Sequence, residues 1–351
     1  MIRRAVVVLA LASAVLCARV LWTLETETSL GGSAAEVVIA QGASTRAIAD
    51  ALAGAGVIKR PWSFALLVRV RGDGARIKAG RYRFEGPYSL LDVETKLVEG
   101  EVERNEITVP EGRSVFEISE IVEKAGLKSM LFLAAARDAG PVAGLDPQAR
   151  TLEGYLFPET YDVPDGMTEV ALAAEMVKRA KIVFSELGLS SSGRLIGGVP
   201  LTLRQIVTLA SIVELETAAP EERPRIAGVF LNRLRKGMKL QTDPTVIYAL
   251  KLGGQYHGNI RKVDLSGDSP YNTYRFEGLP PGPIGSPGRS ALKAVLEPEA
   301  TDTLYFVSRN DGTHVFSKTL RDHERAVDEF QRRPLARAAP KHQESAPPPH
   351  K

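Results

Sequence analysis

Apolar and polar positions divide this chain into stretches of different period. From Ala5 to Ala18 nearly every residue is apolar, and after Arg19 the run resumes from Val20 to Leu24. Arg3 and Arg4 precede it; Glu25 and Glu27 follow. The length approaches the ~20 residues that cross a bilayer, and basic residues before the run keep the N-terminus on the cytoplasmic side. Residues 1–27 are expected to form a single uncleaved transmembrane helix, because signal cleavage after Ala12–Ala14 would leave too short an apolar region. Beyond it, short alternating stretches give way to helical spacing. The run LRQIVTLASIV from Leu203 is apolar almost all round, and the next helix, Glu222 to Arg235, has a face of Ile226, Phe230 and Leu234 at i, i+4 and i+8. Ser286 and Pro287 open a helix through Leu296. LYFV, Leu304 to Val307, reads as a strand turning at Asn310, Asp311 and Gly312 into HVFS. The fold class expected from these elements is α+β.

The pattern also repeats. VIAQGASTRAIADALAGAGVI, Val38 to Ile58, aligns at an offset of seventy residues with TVPEGRSVFEISEIVEKAGLK, Thr108 to Lys128; Gly42 matches Gly112, Ser44 matches Ser114 and Gly56 matches Gly126. Each copy reads as a strand, a Gly turn, a Ser-capped amphipathic helix and a Gly stop. The first copy continues through a helix near Arg60 to Arg71, a strand from Gly80 to Phe84 and a helix from Leu90 to Leu97. After the second copy, LEGYLFPETYDV, Leu152 to Val163, takes the place that GRYRF holds after the first. Strand, turn and helix in this order resemble sugar-binding LysM modules, which implies a small LysM-like module over residues 36–104 and a second such repeat opening a larger domain, 105–332. A structural spacer is the plainer alternative. Residues 333–351, rich in Pro, Ala and charge without apolar periodicity, read as a disordered tail.

Composition narrows the chemistry. A net charge of +3 over 351 residues, with basic residues spread along the chain, argues against nucleic acid as the partner. The single cysteine, Cys17, lies in the apolar N-terminal run, so neither a disulfide framework nor a Cys-based metal site is expected; no cofactor is implied.

The apolar run from Leu203 closes on Glu214, Leu215 and Glu216. A carboxylate at the inner end of a buried helix is costly unless paired or protonated. Apolar neighbours and the negative end of the helix dipole both raise the pKa of Glu214, so it reads as a candidate acid. Downstream, Asp243 reads as an N-cap with Pro244 at the first helical position, and Gln241 just before it is free to touch substrate. SPYNTYRFEGLPPGPIGSPGRS, Ser269 to Ser290, joins Asn272, Thr273 and Tyr274 to a rigid Pro/Gly run, a suitable wall for a sugar ring. Glu153, Tyr155 and Tyr161 are expected to help shape the same cleft.

Glycosidases that use water or a covalent intermediate set two carboxylates across the bond. Glu216 cannot serve Glu214 in this way, since two helical positions rotate a side chain by about 200°. A single acid that protonates the glycosidic oxygen and then takes a proton from the sugar's own C6 hydroxyl needs neither a second carboxylate nor water. EGYLFPETY, ASIVELET, VFLNRL, LQTDPTVIYAL, SPYNTY, GLPPGPIGSPG and LYFV, in that order, resemble the endolytic murein transglycosylases of the MltG (YceG-like) family. The resemblance implies a bacterial inner-membrane protein whose outward domain cuts nascent peptidoglycan strands between N-acetylmuramic acid and N-acetylglucosamine. It further implies 1,6-anhydromuramic ends, a terminating role beside peptidoglycan synthases, and a catalytic glutamate in ASIVExET, which this reading places at Glu214. The rivals are a muramidase using Glu214 with Asp243, and a non-catalytic wall-binding scaffold.

Overall fold

The computed structural model describes residues 34–332 apart from Arg104 and Asp165, so the expected anchor and tail lie outside the described residues. Among those residues no helix is long and apolar enough to cross a membrane. The chain divides into two compact units, up to Asn105 and from Glu106 onward.

In the first unit, β1 (Ala35–Ile39) pairs antiparallel with β2 (Gly80–Phe84), Val37 opposite Tyr82. Alternation along both strands buries Val37, Ile39, Tyr82 and Phe84 against α1 (Thr45–Gly54), α2 (Pro61–Arg71) and α3 (Leu90–Glu99). Ser44 accepts the Ala47 N–H at the start of α1, Pro61 opens α2, and a Ser89–Asp92 capping box opens α3. The connectivity is strand, helix, helix, strand, followed by a covering helix.

One polar cluster interrupts this core. Glu94 is fully buried, with Arg71 Nε at 3.1 Å, and the same guanidinium lies 3.3 Å from buried Asp73. Burial, and then the adjacent Asp73, push the Glu94 carboxyl above its usual range, while Asp73 is held below its own. A carboxyl raised on folding contributes stability that is complete below the unfolded value of about 4.3 and is lost as pH rises through the folded one. The depressed Asp73 acts only at the acid end. Glu94→Gln is therefore expected to flatten the decline in this unit's stability between mildly acidic and alkaline pH, and thermal melts across that range check it.

The second unit begins by repeating the first. β3 (Glu106–Thr108) leads through α4 (Val115–Lys124) and α5 (Ser129–Ala136) to β4 (Thr160–Asp162), and β3 pairs antiparallel with β4, Ile107 opposite Tyr161. Gly42 and Gly112 occupy matching left-handed turns, φ +75° and +78°, and Ser114 forms a capping box with Glu117. The segment from Leu152 to Val163 thus supplies the strand that GRYRF supplies in the first copy. Helix α6 (Glu169–Glu186) and the hairpin β5 (Arg194–Ile196)/β6 (Val199–Leu201) lead into α7 (Leu203–Glu216). Helix α7 is the axis of this unit: every residue from Ile206 to Glu214 is buried. Around it pack α8 (Arg223–Arg235), α9 (Asp243–Leu252) and α10 (Arg289–Leu296). Hairpin β7 (Tyr305–Ser308)/β8 (His314–Ser317) and α11 (Leu320–Val327) complete it. Helix α10 starts three residues later than the sequence pattern suggests, because the Gly288 N–H is drawn to a side chain of α7. The observed class is mixed α+β, with four two-stranded antiparallel sheets among the described residues.

Candidate active site

Two glutamates leave the last turn of α7 on different faces, as the helical rotation requires. Glu214 is enclosed. Arg223 Nη2, at the start of α8, donates to its Oε1 at 2.5 Å, and the Gly288 N–H donates to its Oε2 at 2.9 Å. The other arm of Arg223 lies 3.7 Å from Glu111 Oε2. Glu111 belongs to the PEGRS turn of the second repeat, and that turn is zipped to the IGSPG loop: Gly112 N–H donates to Ser286 O (2.8 Å) and Ser286 N–H to Arg113 O (2.9 Å). The approach is so close that a Cβ on Gly285 would stand 2.5 Å from Gly112 O, which requires glycine there. Burial pushes the Glu214 carboxyl up and the adjacent Glu111 adds to the rise, while the Gly288 N–H and the Arg223 guanidinium oppose it. Both of its oxygens are occupied, and its side chain is 3% exposed.

Glu216 faces elsewhere. Its Oε2 accepts from Thr242 Oγ1 at 2.7 Å, and it borders a cleft of about 450 Å³. Burial lifts its carboxyl to about 7, with the nearby Asp243 charge adding to the rise and His314 and Arg233 opposing it. Gln241, Asp243, Tyr274, Arg233, Tyr305, His314 and His323 line the same cleft. The Gln241–Thr242 corner is held by Thr273, whose carbonyl accepts the Gln241 N–H (3.1 Å) and whose hydroxyl accepts the Thr242 N–H (3.1 Å). This pinning sustains φ +51° at Gln241, a left-handed backbone in a non-glycine residue bordering the cleft.

The sequence-derived candidates thus separate. Gln241 and Tyr274 border the cleft. Thr273 is buried and acts as the pin just described, while Asn272 Nδ2 donates to Leu265 O (3.0 Å) and Gly267 O (2.8 Å) and its Oδ1 accepts the Tyr274 N–H (3.0 Å). The amide of Asn272 is consumed in shaping its own loop. Glu153, Tyr155 and Tyr161 are not in the cleft lining: Glu153 accepts the Val115 N–H (3.2 Å to each oxygen) and is lifted to about 8 by burial. Tyr155 donates to Asp146 Oδ2 (2.7 Å) and Tyr161 to Phe157 O (2.5 Å), so they fasten the second repeat from within. Asp243 does not cap α9. Thr242 holds the N-cap position, which frees the Asp243 carboxylate to accept from Tyr274 Oη at 2.6 Å on the cleft wall.

Several functional groups escape sequence reasoning because the fold delivers them from far along the chain. Arg233 is buried, donating from Nε to Leu304 O (2.7 Å) and from Nη1 to Leu240 O (2.6 Å), so that α8 braces the cleft floor. His314 Nδ1 lies 2.6 Å from Glu222 Oε2, and its backbone N–H donates to Glu222 Oε1 (2.9 Å). The His323 ring stacks on Tyr305, centroids 5.3 Å apart. The signal in the sequence is limited to Arg233 standing one turn beyond the apolar positions Val229 and Phe230. Among the described residues no group of three or more His, Cys, Asp or Glu could hold a metal ion.

Comparison with known proteins bears on this arrangement. The profile of the YceG-like family matches residues 37–329. An endolytic murein transglycosylase of Bacillus subtilis (strain 168) is 33% identical over 308 residues, 83% of each chain. One from Streptococcus pneumoniae is 31% identical over 323 residues, 84% of this chain and 58% of that longer one. A crystal structure of a yceG-like protein from Listeria monocytogenes matches 83% of this chain and 98% of its own at a TM-score of 0.55 and 31% identity.

Proposed function

The chain belongs to the YceG-like family, and on that footing we propose that it is an endolytic murein transglycosylase, a lyase that cuts glycan strands between N-acetylmuramic acid and N-acetylglucosamine. The observation that carries the reaction is a carboxyl lifted to about 7 at the edge of a cleft of about 450 Å³, Glu216. Protonated, Glu216 gives its proton to the glycosidic oxygen as the bond to the muramic C1 breaks. As carboxylate, it then takes the proton of the C6 hydroxyl while that oxygen closes on C1. The products are a free N-acetylglucosamine hydroxyl and a 1,6-anhydromuramic end; no water enters, and Glu216 ends protonated as it began.

This reading moves the acid from Glu214 to its neighbour. Glu214 is enclosed, with Arg223 on one oxygen and the Gly288 N–H on the other, and is not in the cleft lining, whereas Glu216 borders the cleft and holds only the Thr242 hydroxyl, on Oε2. Glu214 instead ties α7 to α8 and to the IGSPG loop. Gln241 and Tyr274 orient the glycan, and Asn272 and Thr273 hold the corner that presents them. The strand, helix, helix, strand unit of residues 36–104 is assigned to glycan binding as a LysM-like module. Residues 1–27 anchor the chain in the inner membrane with the catalytic unit outside, where it ends strands made by peptidoglycan synthases.

Asp243 favours a second reading. It shares the cleft with Glu216, so a two-carboxylate muramidase has its groups in one place. Mass spectrometry of sugars released from purified peptidoglycan separates the two readings. Anhydromuramic ends support the lyase; reducing ends support the hydrolase and direct attention to Asp243; binding without release returns the scaffold.

A further inference from the structure

Helix α2 of the first unit carries apolar residues on both its buried and its exposed face. Ser63, Phe64, Leu67 and Val68 point into the core. On the outer side Trp62, Leu66 and Val70, at i, i+4 and i+8, are 61%, 43% and 77% exposed. An outward stripe headed by a tryptophan has no role in packing this unit, and the cleft chemistry of the second unit does not use it. The stretch of chain that carries it is basic. From Ala51 to Gly72 the chain carries Lys59, Arg60, Arg69 and Arg71 and no acidic residue. Arg71 is drawn to Asp73 and Glu94, while Lys59 and Arg69 are exposed with no acidic partner among the described residues.

Position along the chain identifies what such a surface meets. The apolar N-terminal run ends at Leu24 and β1 begins at Ala35, so ten residues join them, at most about 40 Å when fully extended. The unit cannot leave the neighbourhood of the bilayer that holds the run. We propose that α2 docks on the anionic surface of that bilayer, with Trp62, Leu66 and Val70 entering the headgroup region and Lys59 and Arg69 meeting lipid phosphates. The inference rests on residues 1–27 being a membrane anchor. Docking would restrict the unit's orientation and so the height above the membrane at which a strand is engaged.

The chain has two tryptophans, Trp22 in the apolar run and Trp62. Full-length protein carrying Trp22→Phe therefore reports from Trp62 alone. Reconstituted into vesicles of phosphatidylethanolamine and phosphatidylglycerol, it is expected to emit at shorter wavelength than in detergent and to lose most of its intensity when the lipids carry brominated acyl chains. In phosphatidylcholine vesicles, or with Lys59→Glu and Arg69→Glu together, both effects should shrink strongly. Trp62 emission that ignores brominated lipid while the protein still floats with the vesicles would overturn the docking and leave the anchor standing. Protein that does not float would overturn both. Emission that responds to added glycan oligomers but not to lipid would make the stripe a sugar face and also defeat the proposal.

Discussion

Replacing Glu216 by glutamine is expected to lower release of glycan fragments by about 10²–10⁴-fold, the usual contribution of a positioned acid–base group, with little loss of folding stability. The amide keeps the shape of the side chain and can still accept from Thr242, but it has no proton to give to a leaving oxygen. The pH dependence follows from the same group. The acid must enter the cycle protonated, and burial lifts its carboxyl to about 7, so kcat/KM should be level below that pH and fall tenfold per unit above it. Glu214→Gln should leave this alkaline limb in place, because Glu214 meets Arg223 and Gly288 rather than the cleft. Initial rates on purified sacculi from mildly acidic to alkaline pH, for the parent and both variants, measure it. If the limb vanished with Glu214 and survived loss of Glu216, the assignment would have to be reversed.

The fold was legible where a residue's duty is local. Gly42 and Gly112 in identical turns, Ser44 and Ser114 capping helices, and the face of Ile226 and Phe230 all obey rules that act over a few residues, and the repeat they compose was readable for that reason. Helical rotation likewise separates Glu214 from Glu216 without any structure. Which of the two meets an open cleft is a different kind of fact. It depends on Arg223 arriving from the next helix, on Gly288 from beyond residue 280, and on a hairpin past residue 300 that brings Tyr305 and His314 to the far wall. A buried acid and an acid bordering a cleft look alike in a string of letters. The same limit explains Glu153, Tyr155 and Tyr161. A polar aromatic stretch suggests sugar recognition, yet their hydroxyl and carboxyl groups are spent on Val115, Asp146 and Phe157. Asp243 is the reverse case: the Asp-Pro pair fits a helix start and predicts a cap, whereas Thr242 takes the N-cap position and leaves the carboxylate to Tyr274.

Arg223→Met is expected to destabilise the larger unit by about 3–5 kcal/mol, the cost of breaking a buried ion pair and stranding one charge. Arg223 and Glu214 are both almost fully enclosed, and with the guanidinium gone the Gly288 N–H would remain on the carboxylate with the Glu111 carboxyl, which disfavours its charge, beside it. The stranded Glu214 can then escape by taking a proton, so its pKa in the folded variant rises further above the unfolded value. By linkage, the added instability is smallest in acid and grows as pH rises through that raised pKa. The double variant Arg223→Met/Glu214→Leu removes both charges and should regain much of the loss, since an apolar pair of similar volume often replaces a buried ion pair at little cost. Urea unfolding of the two single variants and the double, at mildly acidic and mildly alkaline pH, closes the cycle. The catalytic readout adds what stability alone cannot: as long as the enzyme is folded, Arg223→Met should leave the alkaline limb of kcat/KM near 7. A cation stripped from beside the true acid would move that limb upward, so a shift of the limb, and not a lower melting point, is the result that would hand the proton back to Glu214.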